Sequence, residues 1–147
     1  MLHASSLVRY RRGYVFCARS GSGKTTVARL SPEATLLSDE ISMVTVAGGR
    51  VTCHGTPFWG ELGRGGENVA APVAGLYFLR HGERHRITAI GPRRALERLL
   101  PNVLFFVRDA ELVARVLAIA GDLVEAAPCF ELAFTPDRGF WTVIDHA

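Results

Sequence analysis

The chain has 147 residues and is 48% apolar, enough for one domain with a core of its own. A net charge of +3 with scattered arginines, clustered only at Arg11-Arg12 and Arg93-Arg94, reads as a solvated face and argues against a nucleic-acid-binding role. No apolar run reaches membrane-spanning length and no signal-peptide stretch opens the chain, so a cytoplasmic protein with no membrane partner is expected.

In chain order, "SSLVRY", Ser5 to Tyr10, reads as a strand feeding a turn at Arg12-Gly13. "GYVFCA", Gly13 to Ala18, reads as a buried strand, and "KTTVARL", Lys24 to Leu30, as a helix ended by Pro32. "ATLLSDE", Ala34 to Glu40, is an apolar run closed by two acids. The two β-rich runs around Gly48-Gly49 predict a hairpin. "TPFWGELGRGGEN", Thr56 to Asn68, is a glycine-rich loop carrying Glu61 and Arg64, of a length that is often functional. Ala74 to Ile90 reads as a second hairpin turning at His81-Gly82-Glu83.

Pro92 to Leu100 reads as a helix, and Asp109 to Ala127 as the clearest amphipathic helix, with Asp109 as its N-cap. Cys129 to Phe134 and Phe140 to Ile144 read as strands. Cys17, Cys53 and Cys129 lie far apart in apolar stretches and read as reduced core thiols. His81 and His85 fall in a predicted hairpin, where helical metal spacing does not apply. The expected fold class is α/β: a single P-loop domain over residues 1–147, with a mixed, hairpin-rich sheet.

"ARSGSGKTT", Ala18 to Thr26, carries the chemistry. It follows a predicted strand and opens a predicted helix, as a phosphate-binding loop requires. Gly21 and Gly23 can take backbone angles that turn successive N–H groups inward into an anion nest. Lys24 can reach the β- and γ-phosphates and the Thr25 hydroxyl can ligate Mg²⁺; Ser20, Ser22 and Thr26 complete the candidate ATP-binding set. Lys24 is the chain's only lysine beside sixteen arginines, and arginine is a poor substitute for a compact phosphate-reaching ammonium. Ala18 stands where the usual pattern has its first glycine.

A phosphate loop needs a carboxylate at a neighbouring strand end to hold Mg²⁺. Asp39 and Glu40 stand at such an end, fifteen and sixteen residues after Lys24. One could ligate or orient the metal and the other could take a proton from an attacking hydroxyl.

The stretches "LHASSLVRY", "GYVFCARSGSGKTT" and "LLSDEI" together resemble the catalytic domain of HPr kinase/phosphorylase. They resemble more closely the small HPr-kinase-like proteins of some bacterial peptide and polysaccharide gene clusters. His3, twenty-one residues before Lys24, is similar in position to the family's upstream histidine. Glu40 stands where the family has its second aspartate, and "GTPFWGELG" looks like a segment of the kinase-like subgroup, with Glu61 and Arg64 as further candidates. The resemblance implies the fold of ATP-dependent phosphoenolpyruvate carboxykinase, use of Mg²⁺ and ATP, and phosphorylation of a serine on a protein or peptide. It implies that Asp39 is the metal-associated acid and Glu40 the base. It also implies a homo-oligomer, and strands before residue 1 that are missing here or supplied by a neighbouring subunit. Two other readings stay open: a non-catalytic ATP-binding regulatory module, and a P-loop ATPase.

Overall fold

The computed structural model describes residues 1–106 and 108–147. The chain opens with an antiparallel pair, β1 (Leu2–Arg9) and β2 (Arg12–Cys17). Their turn lies at Tyr10-Arg11, not at Arg12-Gly13, and both residues have positive φ, 51° and 63°. That is the backbone of a primed hairpin turn, normally given to Asn or Gly. Arg9 supports it: its guanidinium stacks 4.6 Å from the Tyr10 and Trp141 ring centroids and bonds Asp145 at 2.7 Å. Gly13 belongs to β2, where a Cβ would collide with Cys53 Sγ.

Then follow α1 (Lys24–Arg29), β3 (Thr35–Ser38), β4 (Ile41–Ala47), β5 (Arg50–His54) and β6 (Ala70–His81). The chain continues through β7 (Arg86–Ala89), α2 (Pro92–Leu99), a 3-10 turn at Leu100–Asn102 and α3 (Ala110–Ala126), and ends with β8 (Cys129–Phe134) and α4 (Phe140–Asp145). The β4–β5 hairpin turns at Gly48-Gly49, with φ of 55° and 70°. Asp109 caps α3 by accepting the N–H groups of Glu111 and Leu112.

Two long strands change neighbours along their length. The first residues of β1 pair with β4 and its later ones with β3, with an irregularity between Ser6 and Leu7. In β6, Ala70–Pro72 pair with β5, residues from Val73 to Phe78 run parallel to β2, and Leu76–His81 run parallel to β8. The path β2-β1-β4-β5-β6 therefore returns to β2 and closes.

This corrects the expected fold class. With 36% strand and 27% helix, the chain is a small sheet-dominated domain, a closed five-stranded barrel with extra strands, and not an α/β P-loop kinase fold. The reason lies in the connections. Parallel neighbours need crossovers of a dozen or more residues, usually helical. Here two residues join β1 to β2, two join β4 to β5, and Asp39-Glu40 alone join β3 to β4.

Two element readings fail as well. β6 and β7 form no hairpin, because β8 lies between them. Residues 140–144 lie in a helix, not a strand; the run is too short for its periodicity to decide. Phe140, Trp141 and Ile144 point into the core.

β2 is buried on both faces. Val15 and Cys17 enter a core cluster with Leu37, Leu76, Leu99 and Leu123, while Tyr14 and Phe16 enter another with Val27, Phe134, Phe140 and Trp141. All three cysteines are buried free thiols, and burial pushes Cys17 up to about 12. Among the described residues, no helix is long and apolar enough to cross a membrane.

Phe140 is fully buried against Phe16, Phe134 and Trp141. Phe140→Ala is expected to cost about 3–5 kcal/mol of stability, read from urea unfolding. The Thr135 hydroxyl, the Gly139 N–H and His85 hold the exposed Asp137 carboxylate down to about 2. Its contribution is therefore present above the unfolded value of 3.8 and lost as pH falls through about 2. A carbon-detected NMR titration should place the Asp137 midpoint near 2; a midpoint near 4 would contradict this network.

Candidate functional site

The segment from Ala18 to Gly23 joins β2 to α1. Ala18 is buried, yet it is not left-handed: among the described residues, only Tyr10 and Arg11 combine a side chain with positive φ. The methyl group at the first loop position therefore causes no backbone strain. Gly21 and Gly23 do take left-handed angles, φ 77° and 100°. A Cβ on Gly21 would meet nothing within 4 Å, whereas one on Gly23 would stand 2.5 Å from the Phe134 ring. The aromatic cluster thus forms the floor of the loop.

Lys24 follows at the first position of α1 and is only 6% exposed. Its Nζ donates to the carbonyls of Ala18 at 3.1 Å and Arg19 at 3.4 Å. Burial lowers its pKa, opposed by the charges of Glu40, Cys17 and Glu61. The ammonium thus sits in a partly desolvated niche facing two carboxylates.

Those carboxylates come from two segments. At the β3–β4 corner the Ser38 hydroxyl accepts the N–H groups of Glu40 at 3.2 Å and Ile41 at 3.0 Å, and so fixes a tight turn. The turn sends its two acids in different directions. Glu40 faces outward, with Oε1 3.0 Å from His3 Nε2. The register of β1 on β4 sets this pair, since His3 lies opposite Ile41. Asp39 is 0% exposed and faces inward. Its Oδ1 accepts the Gly60 N–H at 2.8 Å and its Oδ2 the Leu62 N–H at 2.9 Å.

Ser20, Gly21, Gly23, Lys24, Thr25 and Thr26 form one wall of a cleft of about 220 Å³, and His3, Glu40 and Glu61 form the other. Most of the residues singled out in the sequence therefore meet. Ser22 does not line the cleft; its N–H donates to the Arg19 carbonyl at 3.2 Å. Asp39 lies behind the wall, not on it. Arg64 lines a different hollow, beside Pro32, Leu36 and Glu67. Among the described residues, no three His, Cys, Asp or Glu side chains cluster so as to hold a metal by themselves.

No protein-family model matches the chain, and no curated protein matches it either.

The cleft is smaller than the roughly 300–1,000 Å³ of sites that enclose a drug-sized ligand. It suits a chain of phosphates with the rest of the molecule outside. For Mg²⁺, which takes one or two carboxylates together with substrate phosphate oxygens, Thr25, Glu40 and Glu61 are hard oxygen donors on the right walls. Two residues that shape the site escaped the sequence reading. Phe134 underlies Gly23, and Gly60 packs so closely on Glu40 that a Cβ would stand 2.7 Å from Oε2. Both contacts join segments distant in sequence, so no local pattern announces them.

The two loop glycines should respond differently to alanine. Gly21→Ala is expected to cost about 1–2 kcal/mol from the left-handed backbone alone. Gly23→Ala adds the Phe134 collision and should cost at least twice as much in urea unfolding. Equal costs would mean that the Phe134 ring moves aside freely.

Proposed function

We propose that the chain is an ATP-dependent phosphotransferase that moves the γ-phosphoryl group to a hydroxyl, that of a serine on a protein or peptide. The observation that carries the reading is the placement of the chain's only lysine: nearly buried, at the mouth of a loop with two left-handed glycines, opposite two carboxylates. The reading rests on this cleft and on the motif's likeness to HPr-kinase-like proteins, not on the fold.

In this reading the loop N–H groups and Lys24 hold the β- and γ-phosphates. Lys24 exchanges its two carbonyl acceptors for phosphate oxygens. Thr25 and Glu61 would hold Mg²⁺, which when bound neutralises charge on the phosphates. Glu40 is the base, aimed by its contact with His3. The acceptor oxygen attacks the γ-phosphorus, the bond to the bridging β–γ oxygen breaks, ADP leaves, and the acceptor's proton passes to Glu40. Asp39, with both oxygens engaged by backbone N–H groups, takes no part in contacting the substrate.

A second reading, a nucleotide-binding module without transfer, is favoured by one observation: Glu40 is already paired with His3.

Mg²⁺ and ATP at 100 times the dissociation constant should add about 2.7 kcal/mol to the fold, a rise of roughly 5–10 °C in melting temperature for a chain of this size. Lys24→Ala should abolish the rise; a rise that survives the substitution would contradict the site. Transfer is tested with γ-labelled ATP and serine-bearing peptides. Glu40→Gln should keep the thermal shift and lower transfer by about 10²–10⁴-fold, the usual contribution of a general base. Binding by the wild type with no transfer to any acceptor, water included, would favour the module.

A further inference from the structure

Asp39 is the most deeply buried carboxylate of the site and faces away from the cleft. An ionised carboxylate without solvent is costly unless its oxygens are hydrogen-bonded. Here both are, and both donors lie on one short turn, at Gly60 and Leu62. The two bonds bracket Glu61. The turn is closed on itself by the Gly63 N–H donating to the Gly60 carbonyl at 3.2 Å, and Gly63 is left-handed, φ 66°. The Leu62 side chain packs against the aromatic core cluster, so the residue after Glu61 is anchored on its apolar side as well.

The turn in its place does two things. It carries Glu61 to the wall of the cleft. It also lays Gly60 against Glu40: a Cβ there would stand 2.7 Å from Oε2 and 3.3 Å from the Glu40 Cβ, so the Glu40 carboxylate would have to shift to make room. Gly60 lies on one side of the half-exposed Glu40 carboxylate and His3 on the other, and Glu40 lines the cleft together with Lys24 and the loop.

We propose that Asp39 is a positioning residue: it clamps the Gly60–Leu62 turn, and the clamped turn aims Glu40 and Glu61 into the cleft. Asp39 contacts neither the phosphates nor Mg²⁺. This rests on the phosphotransfer reading for what the two glutamates do, but the clamp itself does not depend on it.

The test uses the whole chain, with wild type, Asp39→Asn, Gly60→Ala and the double variant. Amide hydrogen exchange of the ligand-free wild type should show Gly60 and Leu62 protected, and Asp39→Asn should release both at least tenfold. Unprotected amides in the wild type would overturn the clamp with no variant needed. Magnesium is then titrated into each protein at fixed ATP, and transfer is measured at the saturating level. Asp39→Asn should lower kcat at least tenfold while the magnesium midpoint stays within about twofold. Gly60→Ala, which leaves Asp39 intact and displaces Glu40, should lower kcat likewise. The double variant should be no worse than the worse single variant, because both act through one turn. A magnesium midpoint raised tenfold in Asp39→Asn with both amides still protected would make Asp39 a metal ligand and overturn the proposal. Protected amides released by Asp39→Asn, with no ATP binding by any of the proteins, would support the clamp and overturn the nucleotide reading instead.

Discussion

The parallel pairing of β2 with β6 is the constraint on which the rest depends. β1–β2 and β4–β5 are local hairpins that form between residues close in sequence. Only the register from Gly13 opposite Val73 to Cys17 opposite Phe78 turns them into a closed ring. Closure removes two exposed strand edges and buries β2 on both faces. It also aligns the C-terminal ends of β2, β6 and β8, which run parallel. Crevices at the carboxyl ends of parallel strands are common ligand sites, because the backbone there opens into loops free of pairing duties. The loop from Ala18 to Gly23 leaves β2 at this end, and Phe134, the last residue of β8, lies under its second left-handed glycine.

The strand that changes neighbours creates a second requirement. Where β1 passes from β4 to β3, ladder hydrogen bonds are interrupted and buried backbone groups need other partners. A group of serines supplies them. Ser5 donates to the Ser38 carbonyl, and the Ser42 hydroxyl bridges the Ala4 carbonyl and the Ser6 hydroxyl. All four serines are buried. They pin the β3–β4 corner to β1, and that corner holds Asp39 and Glu40. The hydroxyls of the core thus reach the chemistry through geometry: a corner that moved would move one acid out of the wall and free the other.

Electrostatically the cleft sets the nearly buried Lys24 ammonium against Glu40 and the exposed Glu61, whose Oε2 also lies 3.6 Å from the Arg29 guanidinium. Burial works against the charged form of Lys24, and the nearby carboxylates work for it. The buried Cys17 thiol, with its high pKa, stays neutral beneath. An arriving phosphate chain would find an ammonium already held by two weak carbonyl acceptors, so little reorganisation stands between the empty and filled arrangements. The phosphotransfer proposal sets this chemistry on a barrel, in a fold other than the one the motif suggests. The motif needs a strand end, two left-handed glycines and a helix start, and a barrel strand supplies these as well as a parallel sheet does.

What the sequence determined by itself is what a few neighbouring residues decide. Gly48-Gly49 makes a turn because only glycine enters two successive left-handed positions without strain. Asp109 caps α3 through its own next residues. Gly21 and Gly23 supply the left-handed angles of the loop before Lys24 and Thr25 open α1. The tertiary structure decided the rest. Tyr10 and Arg11 turn without glycine because Arg9 stacks on Tyr10 and on Trp141 far along the chain. The run from Phe140 to Ile144 is helical because three of its side chains fit a pocket of aromatic rings built from β2 and β8. The chain became a barrel and not an α/β sheet because β2 found β6, a choice between partners some sixty residues apart. Asp39 and Glu40 are adjacent and chemically alike, and no local rule tells which faces the cleft. The Gly60–Leu62 turn, arriving from twenty residues away, takes the first and leaves the second. Pairing and burial are non-local, and their free energy appears only once distant segments meet.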